Sequence, residues 1–302
     1  MTLCNMNRFP PICFAHQSGN SEGFMSGARR RNRSSRETLL PQNRAVIAVI
    51  VLVLFTVGVS AYALTRDYGL DPAEAAAQDK IAAEKFVQAE ADRVAELDRK
   101  LNAQVVRPAD RPLRVLFTGD SLTYGLYAST QDKGFRGVMV NELSKQGPVE
   151  AAASERSGAG AGVVASIVDV PDNLDLAIVE LGTNDVGGQT PIPDFTATYG
   201  ALLDKIRAKT PGVPLICVGT WGSAGGGFGS DPYNNVIEEQ CTQRDGKFVT
   251  MYKLYPREDY RGPAGLEKFG GISDDFHPND EGYRAIADTL LKRITFVQPT
   301  GA

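Results

Sequence analysis

The chain has 302 residues, of which 42% are hydrophobic and 23% are charged, and its formal net charge is −4. The composition is close to that of ordinary globular proteins. The charge is unevenly spread, because residues 1–44 carry seven Lys and Arg against two acids, whereas the remainder carries 25 against 34. A basic tail ahead of an acidic body argues against a nucleic-acid-binding domain, so no nucleic-acid partner is expected.

An uncharged apolar segment follows this basic tail and runs from Ala45 to Thr65. A helix needs about 20 apolar residues to cross a bilayer, so we expect residues 45–65 to form a transmembrane helix. A cleaved signal peptide is the alternative, although its apolar region is usually only about 7–15 residues long. The positive-inside rule predicts a single pass through the cell membrane, with residues 1–44 in the cytoplasm and the C-terminal part outside.

Residues 66–112 are expected to form a helical stalk and a linker. Asp71, Pro72 and Glu74 have the pattern of a helix start, and the segment that follows is rich in strong helix formers as far as about Gln104. A sparse heptad-like stripe runs along this segment, consisting of Val87, Val94, Leu97 and Leu101. The stripe is compatible with a single helix, and its sharper interpretation is weak dimerisation through the stalk.

From residue 113 to 297 short apolar runs alternate with helical patterns. The expected strands lie at 113–117, 149–153, 174–181, 213–219 and 247–254, and the expected helices at 135–146, 194–209, 234–244 and from Asn279 to Ile294. This alternation predicts an α/β domain with a parallel sheet and helices on both faces. In such a sheet the site lies beyond the carboxyl ends of the strands.

Three motifs stand at chemically suggestive places in this domain. Ser121 follows the first strand in a Gly-Asp-Ser triplet, where its hydroxyl group would face the open edge of the sheet. His277 is the only histidine outside the N-terminal tail, and Asp274 precedes it by three residues. A carboxylate at that distance can accept from imidazole Nδ1 and leave Nε2 for the serine. Asp275 is an alternative partner that we expect to point elsewhere.

The third motif, at residues 182–185, supplies Asn184, whose side-chain amide can donate to a developing oxyanion. The glycine-rich run 157–162 can bring a backbone N–H to the same place. No Cys/His cluster indicates a metal site. Cys217 and Cys241 would lie outside the cell, where a disulfide bond can persist, and a bridge and two buried thiols are equally compatible with their positions.

In this order the motifs resemble those of the SGNH (GDSL-type) hydrolase family. The resemblance covers about residues 113–294 and implies a three-layer α/β/α sandwich, related to the flavodoxin-like folds, with a five-stranded parallel sheet. It implies Ser121, His277 and Asp274 as the catalytic triad, and Ser121, Gly158 and Asn184 as donors of the oxyanion hole. Gly160 is the alternative to Gly158. The family works without a metal or a cofactor.

The implied activity is ester hydrolysis through an acyl-enzyme. The expected anchor and stalk favour O-acetyl or other short acyl groups on extracytoplasmic carbohydrate as substrates. The alternatives are a polysaccharide or peptidoglycan O-acetyltransferase, a lipid esterase or thioesterase, and a non-catalytic membrane-tethered binding domain. Residues 221–233 are interpreted either as a substrate loop or as a plain connection.

Overall fold

The computed structural model describes residues 55, 56, 59, 71–222 and 229–298. Within these residues no helix is both long and apolar enough to cross a membrane. The expected tail at 1–44, most of the expected span at 45–65 and part of the expected substrate loop lie outside the described residues. The chain divides into two units, 1–79 and 80–302, and the sheet and all but the first helix described below lie in the second.

The second unit is built on a five-stranded parallel sheet. The strands of the described chain are β1 (Ala103–Val106), β2 (Leu113–Gly119), β3 (Val149–Glu155), β4 (Leu176–Glu180), β5 (Leu215–Val218), β6 (Lys247–Val249), β7 (Glu267–Lys268), β8 (Gly271–Ile272) and β9 (Ile294–Val297). The central sheet has the order β3–β2–β4–β5–β6, and every neighbouring pair in it is parallel. This confirms the sheet that the resemblance implied.

Helices connect the strands. They are α1 (Pro72–Leu101), α2 (Ser121–Tyr124), α3 (Phe135–Ser144), α4 (Ala161–Ile167), α5 (Thr183–Gly188), α6 (Ile192–Lys209), α7 (Ser230–Thr242) and α8 (Asp280–Leu291). Two single 3₁₀ turns lie at Gln131–Lys133 and Glu258–Tyr260. The short helices α4 and α5 were not expected from the sequence, because each is too brief to show an amphipathic period. A helix beginning at Ser121 was expected, and α2 begins there.

Two apolar cores lie on the two faces of the central sheet. Alternate residues of a strand point to opposite faces. Val115 and Phe117 of β2 therefore belong to the core that includes side chains of α3 and α8, whereas Leu116 belongs to the core that includes side chains of α4, α6 and α7. The arrangement is a three-layer α/β/α sandwich, as the resemblance implied.

A disulfide bond joins Cys217 of β5 to Cys241 of α7. Both residues are fully buried in the second core. The structure thus has the bridge rather than two free thiols. It ties a central strand to the helix that covers it.

The chain segment before the central sheet contains a strand within the part expected as stalk and linker. Strand β1 pairs in parallel with β9, and Val105 of β1 is fully buried in the first core. The expectation that the last helix extends to Ile294 was wrong, because α8 ends at Leu291 and Ile294 begins β9. Two strands far apart in sequence therefore form a small sheet of their own beside the central one.

Helix α1 is a long, mostly exposed helix in the segment expected to form a stalk, and its role as a stalk stays a prediction. From residue 80 onward its large apolar side chains remain exposed, namely Ile81, Phe86, Val87, Val94, Leu97 and Leu101. Its C-terminal end is attached to β9, because the Thr295 hydroxyl donates to the Asp98 carboxylate at 2.9 Å. The expected weak dimer through the stripe stays a prediction.

Gly119, at the end of β2, is expected to tolerate no side chain. A Cβ atom there would lie 2.1 Å from Thr123 Oγ1 and 2.4 Å from the Glu180 carbonyl oxygen. Since the second of these atoms is backbone, Gly119→Ala should lower the free energy of unfolding by about 3 kcal/mol or more. Gly187→Ala is the matched control, because a Cβ at Gly187 meets nothing within 4 Å. Equal stability of the two variants in denaturant titrations would contradict the prediction.

Candidate active site

The candidate site begins where β2 ends. Ser121 is the first residue of the short helix α2, and Asp120 caps this helix by accepting the Leu122 N–H at 3.1 Å. Gly125 ends the helix in the left-handed conformation, with φ of 83°. The cap and the glycine turn hold the serine at the carboxyl edge of the sheet, where only 5% of its surface is exposed.

A histidine from a distant loop meets this serine. His277 lies just before α8, and its Nε2 atom is 3.0 Å from Ser121 Oγ. The other ring nitrogen, Nδ1, is 2.8 Å from Asp274 Oδ2. A continuous hydrogen-bonded chain thus joins Asp274, His277 and Ser121, in the order that the sequence predicted.

Asp274 is held by its own loop as well as by the imidazole ring. Its Oδ1 atom accepts the backbone N–H groups of Phe276 at 3.0 Å and of His277 at 2.8 Å. Partial burial by itself raises the pKa of Asp274, but the hydrogen bonds and the positive character of His277 outweigh it and leave that pKa below its ordinary value. Asp274 is therefore a carboxylate at neutral pH, and it can keep the proton of the imidazole on Nδ1. Asp275 instead accepts the Ala264 N–H at 2.9 Å.

Aromatic side chains hold the imidazole ring in place. Tyr127 and Phe276 meet His277 edge to face, with ring centroids 5.1 and 5.3 Å away. Trp221 Nε1–H donates to the Phe276 carbonyl oxygen at 2.8 Å. The contacts of Tyr127 and Phe276 with the imidazole ring were not expected from the sequence. Tyr127 adopts a positive φ of 66°, which is rare for a bulky residue and typical of functional sites, but no sequence pattern signals it.

Asn184 enters the site from the strand next to β2. It lies in the first turn of α5, directly after β4, and its Nδ2 atom donates to Asp120 Oδ2 at 2.9 Å and to the Ala159 carbonyl oxygen at 3.2 Å. The structure therefore brings Asn184 to the residue that precedes Ser121. Both N–H groups of the amide already have acceptors.

The glycine-rich run follows β3 and approaches the same edge. Gly158 has φ of 75°, a conformation that favours glycine, and a Cβ there would meet nothing within 4 Å. Gly160 instead packs against Asp185, since its Cβ would lie 2.8 Å from that carboxylate. Asp185 also accepts the Ala161 N–H at 2.9 Å and so ties the run to α5. Gly158 as an oxyanion donor stays a prediction.

Two carboxyl groups are buried beneath the serine. Asp120 is 0% and Glu180 is 1% exposed. Burial raises the pKa of Asp120 to about 6, although its hydrogen bonds oppose this shift. Burial and the nearby charge of Asp120 raise the pKa of Glu180 well above its ordinary value. Among the described residues, no group of three or more His, Cys, Asp or Glu could hold a metal ion.

The buried Asp120 should make stability depend on pH. Because its pKa is higher in the folded state, Asp120 favours folding below its ordinary pKa of 3.8, and this contribution is lost as pH rises through about 6. Wild type should therefore lose about 2 kcal/mol of unfolding free energy relative to Asp120→Asn between pH 4 and 8. Denaturant titrations across that range measure the difference, and a constant difference would contradict the prediction.

An α/β sandwich with a serine, a histidine and a carboxylate connected at the carboxyl edge of its sheet has the arrangement of a serine-dependent acyl hydrolase. Residues 117–285, more than half of the chain, match the GDSL-like Lipase/Acylhydrolase family. The chain belongs to this family and is an esterase of the SGNH type.

Several solved structures are similar to this chain. The psychrotrophic esterase EstA from Pseudoalteromonas sp. is 16% identical over 60% of this chain and 96% of its own, with a TM-score of 0.49. The family 3 carbohydrate esterase of Clostridium thermocellum is 18% identical over 61% of this chain and 95% of its own, with a TM-score of 0.46. The salicylyl-acyltransferase SsfX3 is 16% identical over 62% of this chain and 55% of its own, with a TM-score of 0.45. No curated protein matches the sequence.

Proposed function

We propose that the protein is a serine ester hydrolase that removes O-acetyl or other short acyl groups from carbohydrate outside the cytoplasm. The observation that carries the catalytic part is the chain of hydrogen bonds from Asp274 through His277 to Ser121, at 2.8 and 3.0 Å. These distances fall in the range over which a base can take the proton of a nucleophile.

In the first half of the reaction, His277 Nε2 accepts the Ser121 proton while Oγ forms a bond to the ester carbonyl carbon. The tetrahedral intermediate then breaks its bond to the alcohol oxygen, which leaves with the proton from His277. Asp274 holds Nδ1–H and stabilises the imidazolium that forms in between. The product of this half is an acyl-Ser121 ester and a free alcohol.

In the second half, water gives a proton to His277 and attacks the acyl carbon. The proton then returns to Ser121 Oγ as the carboxylic acid leaves. The negative oxygen in both halves is held by donors at the serine. Ser121 N–H has no acceptor within its own helix because it lies at the helix start, and Gly158 N–H and the Asn184 amide complete the proposed oxyanion hole.

The substrate class follows from the proposed location. An uncharged segment at 45–65 after a basic tail supports a single membrane span with the catalytic unit outside. The exposed helix α1 supports a spacer that presents the site to the cell envelope. An O-acetyltransferase and a lipid esterase or thioesterase remain the competing functions.

Hydrolysis of p-nitrophenyl acetate, butyrate and octanoate tests this proposal, with the full-length protein in mild detergent and Ser121→Ala as the baseline. Serine-dependent activity that is highest on acetate supports a short-chain esterase, and release of acetate from acetylated xylan would extend it to carbohydrate. A preference for octanoate favours the lipid esterase. Activity no greater than that of Ser121→Ala on every ester would overturn the esterase proposal.

A further inference from the structure

The two buried acids at the site, Asp120 and Glu180, take no part in the proton transfers of the proposed reaction. Asp120 directly precedes Ser121, and Glu180 ends the neighbouring strand β4. They lie side by side because Gly119 and Glu180 are register partners across β2 and β4. Two almost fully buried carboxyl groups in contact with the nucleophile's helix are costly to fold, so a structural role alone accounts poorly for them.

Asp120 divides its two oxygen atoms between two elements of the site. Its Oδ1 atom caps α2, and its Oδ2 atom accepts from Asn184 Nδ2 at 2.9 Å. The same amide nitrogen donates to the Ala159 carbonyl oxygen at the longer distance of 3.2 Å. The hydrogen bond to the Asp120 carboxylate is the stronger of the two, because its acceptor is charged. A substrate oxygen can therefore replace the Ala159 carbonyl oxygen as the acceptor of the second Asn184 N–H.

Glu180 is placed to support Asp120 as a neutral neighbour. Its Oε2 atom accepts the Thr123 hydroxyl at 3.0 Å, and its Oε1 atom is buried without a hydrogen-bond partner. An ionised carboxylate with an unpartnered buried oxygen is strongly disfavoured, whereas a protonated carboxyl group carries no charge. Two like charges this close would also repel each other, so one of the pair keeps its proton.

We propose that Asp120 is a positioning residue that orients the Asn184 amide for the oxyanion, and that protonated Glu180 leaves Asp120 as the single carboxylate of the pair. This inference rests on the proposed hydrolase function. Asp120 fixes one N–H of the amide, and the oxyanion of the intermediate replaces Ala159 as acceptor of the other. Since the oxyanion exists only after attack, the gain is confined to the transition state.

A double-mutant cycle distinguishes orientation of the Asn184 amide by Asp120 from the capping of α2 by the same residue. The full-length protein is assayed with p-nitrophenyl acetate as wild type, Asp120→Asn, Asn184→Ala and the double variant. Asp120→Asn should lower kcat by about 10- to 100-fold, the order of magnitude found when the hydrogen-bond partner of a metal-binding side chain is removed, and should leave KM within about twofold. In the Asn184→Ala background the same substitution should change kcat by less than about twofold.

Equal losses of kcat in the two backgrounds would overturn the inference, because Asp120 would then act independently of Asn184. Absence of Ser121-dependent hydrolysis in the wild type would instead overturn the proposed function, and this inference with it. Asp120→Ser provides a second cycle should Asp120→Asn not fold, since serine caps helices well but lacks the second oxygen atom.

The part given to Glu180 is tested by comparing two substitutions. Glu180→Gln, which is neutral and keeps a donor, should restore most of the kcat that Glu180→Ala loses. Failure of this rescue in a folded protein would overturn the part given to Glu180.

Discussion

Substitution His277→Ala is expected to lower kcat for ester hydrolysis by about 10⁶-fold, as the loss of the base does in other serine hydrolases. His277 Nε2 lies 3.0 Å from Ser121 Oγ. No other histidine lies among the described residues, since the only other one, His16, belongs to the N-terminal tail. Without a base, the hydroxyl group is a weak nucleophile at neutral pH. Steady-state kinetics with p-nitrophenyl acetate measure the loss.

The thermal unfolding temperature serves as the control for this variant. His277 is partly exposed, with 14% of its side-chain surface accessible, and it does not belong to either apolar core. The variant should therefore fold. A folded His277→Ala protein that loses less than about 100-fold in kcat would contradict the assignment of His277 as the base.

Substitution Asp274→Asn is expected to lower kcat by about 10⁴-fold. The amide keeps the shape of the carboxylate but lacks the negative charge that holds Nδ1–H. Its N–H group can also donate to His277 Nδ1. The imidazole ring then carries its proton on Nε2, where it cannot accept from Ser121. The adjacent Asp275→Asn is the matched control, because Asp275 bonds to the Ala264 N–H and not to the imidazole ring.

Asp275→Asn should keep kcat within about twofold of the wild type. Equal losses in the two variants would show that the loop as a whole matters, rather than the hydrogen bond at 2.8 Å between Asp274 and His277. A pH profile adds a second readout. The pKa of Asp274 lies below its ordinary value, so its protonation should not limit the rate near neutral pH.

The residues of the hydrogen-bonded chain could be predicted because each stands in a local pattern. Ser121 follows an apolar strand and a glycine, and His277 is the only histidine of the globular part. Parallel strands bring their carboxyl ends to one edge, so the sequence order of the motifs translates directly into proximity. Asp274 followed from its spacing to His277.

Contacts between distant, patternless residues could not be predicted in this way. The pairing of β1 with β9 joins two strands of four residues separated by almost the whole domain. Ile294 continues the apolar period of α8 and yet begins β9, since a single apolar residue fits either element. The ring of Tyr127 against His277 depends on a backbone conformation that only tertiary structure reveals.

The engagement of Asn184 by Asp120 is the clearest case of such a contact at the site. The sequence predicts only that the Asn184 amide donates to the oxyanion. In the structure both of its N–H groups already have acceptors. The signal was present in Gly-Asp-Ser, where the aspartate stands next to the nucleophile. The burial of Asp120, however, depends on the pairing of β2 with β4, which no local pattern encodes.

The central claim is that Ser121 carries the acyl group, and trapping that intermediate tests it most directly. The protein is mixed with p-nitrophenyl acetate, quenched in acid within the first turnover, digested and analysed by mass spectrometry. We expect a burst of p-nitrophenol and an acetyl group on the peptide at Ser121, with neither in Ser121→Ala. An acetyl group on another residue, or ester turnover that persists in Ser121→Ala, would contradict the account.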